Sequence, residues 1–329
     1  MEVSCKILRR SIHSFLQNYH FFTSSAAFLA FPFSASVLLS QALSPSSPAS
    51  LLPQIYNRFR ILFDAAGFPS SSQLFTILNL KVSQTLSSSI FTLPFTLTFL
   101  LFAKAFTFHA LNNHKTIFSS PSLKSIISLY KPLLQTYVCS CFLILSANAS
   151  AFGLLFLAFS FIERLGFSSS PSFLFFMSAS GAVLFSVILA NALVICNMAM
   201  AISGVEGHGG YLAILKGCVL IRGRTSMALF LALPVNVALA AIEALFQFRV
   251  VKAYHVAGKA GPFVGLEGVF IAYLYSIFII LDTIVSFMFY KSLKEESWIG
   301  EEDKHFFRIE LPDEDNNGYL GTKNLEELP

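Results

Sequence analysis

Six long apolar runs divide the chain, at approximately 21–43, 84–108, 133–161, 173–202, 226–247 and 266–290. Each reaches the roughly 20 residues a helix needs to cross the hydrocarbon core of a bilayer, so each is predicted to span it. Several are longer, which predicts tilt or extension past the core. Pro32, Pro94 and Pro234 fall inside these runs, as membrane helices tolerate where nearby groups satisfy the freed backbone.

Between the runs, polar and apolar positions alternate with helical period. In residues 3–20, Ile7, Leu8, Ile12, Phe15, Leu16 and Tyr19 fall near one face, and Lys6, Arg9, Arg10 and His13 near the other. That pattern predicts a basic amphipathic helix resting on anionic headgroups. Residues 51–66, with Arg58 and Arg60, read as a second amphipathic stretch, and 122–131 as a third candidate for the interface. Gly207, Gly209 and Gly210 then break the fourth run, because glycine lowers helical preference. From Tyr211 to Arg224 the period is helical again. Tyr211, Ile214, Leu215, Cys218 and Ile221 make the apolar face; Lys216 and Arg224 share the polar one. This predicts a short interfacial helix over 211–224, with Lys216, Arg222 and Arg224 at lipid headgroups.

Composition agrees with the pattern. The 329 residues are 55% hydrophobic and 12% charged, with a mean hydropathy of +0.67; soluble domains carry roughly 25% charged residues. The expected fold is an all-α integral membrane protein of about six transmembrane helices, with interfacial amphipathic helices and a disordered acidic C-terminal tail. Its parts are a basic helix (1–20), a six-span domain (21–294) and the tail (295–329). The net charge of +4 conceals a partition. The tail holds eleven acidic and three basic residues, a balance of −8, and the rest carries +12. Such a tail cannot bury enough apolar surface to fold alone. The expected partners are membrane lipids and, through the tail, a cytosolic protein; nucleic acid is not expected.

With the N-terminus inside, twelve Lys and Arg collect on the inner side against seven outside, which orients both termini to the cytosol. An endomembrane or the plasma membrane follows. The acid-free, Ser-rich stretch 3–63 is a transit-like composition and leaves a chloroplast membrane as the alternative.

Candidate chemistry is sparse. Ionisable groups inside spans are expensive and so suggest function. Asp282, about 12 Å inside the last span, leads, with Tyr275 near its face; Glu243 and Asn236 share a face of the fifth span. Asn191, Asn236 or a tyrosine could hydrogen-bond these acids as an interhelical clamp. Lys104, four residues from its span's end, can snorkel. No catalytic motif, phosphate-cradling loop or metal-ligand spacing occurs, so no cofactor or metal is expected and the chain reads as a non-enzyme. The cysteines form no disulfide framework; Cys5 and Cys218 sit in interfacial stretches where S-acylation occurs.

Val205-Glu206-Gly207, Ala213-x-x-Lys216-Gly217 and Leu220-Ile221-Arg222-Gly223-Arg224 carry a family likeness. The chain resembles the membrane domain that accompanies some glycerophosphodiester phosphodiesterases, and a plant group of six-span proteins on a similar plan. The likeness implies a six-helix fold with amphipathic elbows, and no phosphodiesterase activity, since that belongs to a separate soluble domain. Two functions stay open: a membrane scaffold or lipid-interacting organiser, and a small-solute or proton-coupled transporter using Asp282 and Glu243.

Overall fold

A computed structural model describes residues 2–43, 52–65, 73–112, 123–164, 171–257 and 261–309. In chain order the α-helices are α1 (Glu2–Gln17), α2 (Tyr19–Ser25), α3 (Phe31–Leu43), α4 (Leu52–Ala65), α5 (Gln73–Phe95) and α6 (Leu101–Asn112). They are followed by α7 (Leu123–Arg164), α8 (Pro171–Glu206), α9 (Tyr211–Ile221), α10 (Thr225–Phe246), α11 (Lys252–Ala257) and α12 (Pro262–Ile309). π-helical turns at Ala26–Ala30, Thr96–Leu100 and Gln247–Val251 join α2 to α3, α5 to α6 and α10 to α11. No strand occurs among the described residues. Residues Met1–Tyr290 form one compact unit and Lys291–Pro329 a second.

Six helices are long and apolar enough to cross a membrane: Tyr19–Ser40, Val82–Asn112, Lys124–Ala151, Ala179–Glu206, Thr225–Tyr254 and Pro262–Glu295. The all-α, six-span architecture expected from the apolar runs is therefore present. Several boundaries differ. Residues 123–131 are not a separate interfacial segment but the first turns of α7, which continues through Pro132. The fifth span runs on through a π-helical turn to Tyr254, and the helix itself to Ala257. Helix α12 persists to Ile309, past the expected start of the tail, and 310–329 lie outside the described residues.

The turns by which two spans depart from α-helical register meet each other: the π-helical turn of the first span packs on that of the second. In the second span the turn follows Pro94, whose ring and missing N–H disturb the ladder. Thr96 and Thr98 hydroxyls take up the carbonyls of Thr92 (2.9 Å) and Pro94 (2.7 Å). One apolar cluster joins the first, fifth and sixth spans: Leu38, Ile242, Phe246, Ile271, Tyr275 and Ile279 are all buried. A second dense zone is the stretch 198–203 of α8, buried at every position. Its small residues let neighbouring backbones approach, the usual basis of helix contact where lipid gives no hydrophobic drive.

That close approach seats the 204–224 segment. A side chain on Gly204 would stand 2.3 Å from the Phe108 ring, and one on Gly209 2.2 Å from the Pro132 carbonyl oxygen. Gly210 takes a positive φ of 82°, a region other residues rarely adopt. Its N–H donates to Thr136 Oγ1 at 2.9 Å. The end of α6, the first turns of α7, the end of α8 and α9 thus meet at one end of the bundle. Phe21 of the first span stacks on Phe106 of the second at 4.8 Å, which brings the start of the first span to the same end.

Helix α9 is shorter than the expected 211–224. It ends at Ile221 because Arg222 turns to an extended conformation and Gly223 to a φ of 83°. Ala213, Ile214, Gly217 and Ile221 are its buried side, and Gly217 lies close against α8. Tyr211, Leu212, Leu215 and Val219 face outward. The face expected to be apolar is thus split: Ile214 and Ile221 point into the bundle, Tyr211 and Leu215 away from it.

The glycine contacts predict a contrast. Gly209→Ala drives a methyl group into backbone and should lower thermal stability in detergent by about 1–3 kcal/mol, the usual cost of overpacking. Gly153→Ala, in α7 with nothing within 4 Å of the added carbon, should be neutral or stabilising by up to about 1 kcal/mol. Equal midpoints for the two variants would refute the close packing at Gly209.

Candidate functional site: a polar ladder along the last span

Helix α12 carries Tyr275, Asp282, Ser286 and Tyr290 at spacings of seven, four and four, so they fall near one face. They cover about 22 Å of helix axis, most of a bilayer core. Each end of this ladder is tied to a carboxylate on another helix.

At one end, the Tyr290 hydroxyl donates to Glu206 Oε1 at 2.5 Å. Lys216 Nζ donates to both Glu206 oxygens at 2.7 Å. Glu206 ends α8, Lys216 belongs to α9 and Tyr290 to α12, so one carboxylate joins three helices. His208 Nδ1 lies 2.9 Å from the Glu206 backbone oxygen and tightens the turn that follows. The Glu206 side chain is only 18% exposed while that of Lys216 is 54% exposed. A charge-assisted bond in the drier position is the stronger tie, so Tyr290 is the more important partner.

At the other end, Tyr275 donates to Glu243 Oε1 at 2.8 Å, joining α12 to α10. The expected clamp between Glu243 and a tyrosine is formed here. Asn236 is exposed and folds back onto the Ala232 carbonyl at 2.9 Å. Asn191 is exposed as well. Neither asparagine reaches Asp282 or Glu243 as a clamp partner; both lie on outward faces of their helices.

Asp282 stands between the two ties and is half-buried. Its charge partner is Lys104 of α6, which interacts with it electrostatically but does not close into a direct ion pair. Lys104 therefore faces inward instead of snorkelling to the interface. A cleft of about 30 Å³ adjoins Asp282, with Asn197 and Ser286 in its wall. No cluster of three or more metal-ligating side chains occurs among the described residues.

The basic surface is separate from this interior. Along α1, Ser4, Ile7, Ser11, Ser14 and Phe15 are buried, and the helix packs on α10. Lys6, Arg9, Arg10 and His13 are exposed, and so are Val3, Ile12, Leu16 and Tyr19. The expected single apolar face is therefore two: Ile7 and Phe15 look into the bundle, Ile12, Leu16 and Tyr19 away from it. Arg222 is exposed and Arg224 half-buried in the turn between α9 and α10.

Three of these residues escaped the sequence reading. Glu206 was visible only as part of a Glu-Gly turn, Tyr290 as the end of an apolar run, and Lys104 as a residue near a span's edge. Their pairing depends on helix adjacency, which hydropathy does not encode.

The fold and its interior define a six-span helical membrane protein with a titratable ladder inside and a basic rim. The chain belongs to the family described as a domain of unknown function, DUF8558, which matches residues 3–299. Neither a curated protein nor a solved structure matches it.

The Glu206 tie predicts an order of effects. Tyr290→Phe should lower stability by about 1.5–3 kcal/mol, the range for hydrogen bonds to a charged group. Lys216→Met, which removes a more exposed ion pair, should cost no more than about 1 kcal/mol. Thermal unfolding of the two variants in the same detergent checks the order, and the reverse ranking would place the tie on Lys216 instead.

Proposed function

We propose that this chain is a non-enzymatic, lipid-interacting membrane organiser that grips the anionic headgroups of one leaflet through α1. The observation that carries this reading is the three-sided character of α1. Its serine-rich side packs on the bundle, so its position is fixed by the protein. Cys5, Ile12, Leu16 and Tyr19 then form an exposed apolar stripe, which water would disfavour and acyl chains would not. Lys6, Arg9, Arg10 and His13 form the third side, next to that stripe, where phosphates lie.

Helix α9 supports the same reading. Tyr211, Leu212, Leu215 and Val219 are exposed between 44% and 70%, and Arg222 and Arg224 follow at the turn. With six spans, α1 and α9 fall on one side of the membrane. The basic excess on that side favours the cytosol for both termini, in an endomembrane or the plasma membrane. The likeness to the membrane domain associated with phosphodiesterases is consistent with an organising role that needs no catalytic site of its own.

Site-directed spin labels on the full chain in vesicles test this. Labels at Ile12 and Leu16 should be shielded from a water-soluble relaxant and accessible to oxygen, while a label at Arg9 shows the converse. Replacing Lys6, Arg9 and Arg10 by Gln should weaken the preference for phosphatidylserine over phosphatidylcholine by about 1 kcal/mol per charge removed at low salt. Unchanged selectivity in the triple variant would overturn the headgroup assignment.

A further inference from the structure

Two amide side chains stand on the outside of the bundle, deep within their spans. Asn191 lies twelve residues after the start of Ala179–Glu206 and fifteen before its end. Asn236 lies eleven after the start of Thr225–Tyr254 and eighteen before its end. At about 1.5 Å per residue, each is at least about 16 Å from either end of its helix. Both are exposed, and the surroundings of a span at that depth are hydrocarbon, which offers no hydrogen bond. Asn191 makes no hydrogen bond among the described residues. Asn236 donates once, to the Ala232 carbonyl of its own helix, and its amide oxygen accepts nothing.

A hydroxyl in this position has a local remedy that an amide lacks. Ser186, also exposed on α8, returns its hydroxyl to the Ala182 carbonyl at 2.9 Å. Helix carbonyls have a second lone pair to offer, but the N–H groups of a helix interior are all committed to its own ladder. An amide oxygen therefore needs a donor from another chain element. No such donor reaches Asn191 or Asn236 within the single chain.

The placement of the two amides selects the partner. Val194 of α8 and Ala232 of α10 line the same cleft between these helices. Asn191 stands three residues before Val194 and Asn236 four after Ala232, so each continues its wall by about one turn. Helices α8 and α10 are successive spans and cross in opposite directions, so both steps lead away from the Glu206 end. The two amides thus flank the α8–α10 seam at similar depth. Leu184 and Val187 on α8, and Leu229 and Leu233 on α10, lie one or two turns from them and are all exposed. A two-fold axis along the membrane normal keeps every residue at its depth, so reciprocal pairs across it must be level. Asn191 and Asn236 meet that condition. An amide carries both donors and an acceptor, which makes it the chemical complement of another amide.

We propose that the α8–α10 seam is the interface with a second copy of this chain, in which Asn191 of each copy bonds Asn236 of the other. The four exposed leucine and valine side chains pack around the amide pair and exclude acyl chains from it. Interfaces between membrane helices are held by packing and by such interhelical polar contacts. The inference is independent of headgroup binding by α1, because the two surfaces share no residue.

The test uses the full chain, labelled with donor or acceptor fluorophore and mixed in phosphatidylcholine vesicles, so that anionic headgroups play no part. Energy transfer is followed as the protein-to-lipid ratio falls. Wild-type protein should keep its transfer at dilutions where chance encounters are negligible. Asn191→Leu and Asn236→Leu should each weaken association by about five- to thirtyfold, the range for interhelical polar contacts in membranes. Asn191→Gln retains the amide and should lose less than Asn191→Leu. In detergent that disperses the chain to monomers, the double leucine variant should keep or raise its thermal midpoint, since neither amide bonds to another helix of the same chain. Absence of specific transfer in the wild type, including association only with a different membrane protein, would overturn the second copy. Transfer unchanged in the double variant would overturn the seam, and a lowered midpoint of the dispersed double variant would assign the amides to packing within one chain.

Discussion

The Glu206 carboxylate is the constraint on which this end of the bundle depends. Helix α8 ends there, and the chain must reverse before α9 runs back along it. A helix end leaves backbone groups without intrahelical partners, and here protein supplies part of them. Glycines at 204 and 209 let the chain lie against Phe108 and Pro132, and Thr136 accepts the N–H of Gly210. Tyr290 and Lys216 then hold the carboxylate itself. Remove the tie and α8, α9 and α12 lose their common point.

A second consequence concerns the division between interior and rim. The acids inside the bundle each have a named partner: Glu206 has Tyr290 and Lys216, Glu243 has Tyr275, and Asp282 has Lys104. The first two are closed by hydrogen bonds, which makes them structural ties. Asp282 differs because its partner stands off and a small void lies beside it. Structure and chemistry thus diverge along a single helix face, and the divergence is what marks Asp282 among the three acids.

The six spans were legible because apolar length is a local property of the chain. So were the helix at α1 and the break at Gly207–Gly210. What failed was the phase of the short helices. In water the buried face of a helix is the apolar one, but a helix docked on a membrane bundle can bury small residues and turn large apolar ones to lipid. That is why Ser4, Ser11 and Ser14 lie inside α1 while Ile12 and Leu16 lie outside. It is also why Tyr211 and Leu215 of α9 face away from the bundle. Lys104 shows the same limit: a lysine near a span's end can snorkel or turn inward, and only the presence of Asp282 across the bundle decides. Asn191 and Asn236, chosen as polar groups inside apolar runs, face outward, and nothing in the structure of the single chain explains why.

Headgroup binding by α1 requires that α1, packed on α10, and the turn after α9, next to the Glu206 tie, lie on one face of the membrane. The direct measurement uses a cysteine-free background in sealed vesicles of known orientation, with single cysteines at positions 10, 222 and 249. A membrane-impermeant thiol reagent should label 10 and 222 from the same side and 249 only from the other. Labelling of 10 and 222 from opposite sides would contradict the arrangement and the leaflet-gripping role built on it.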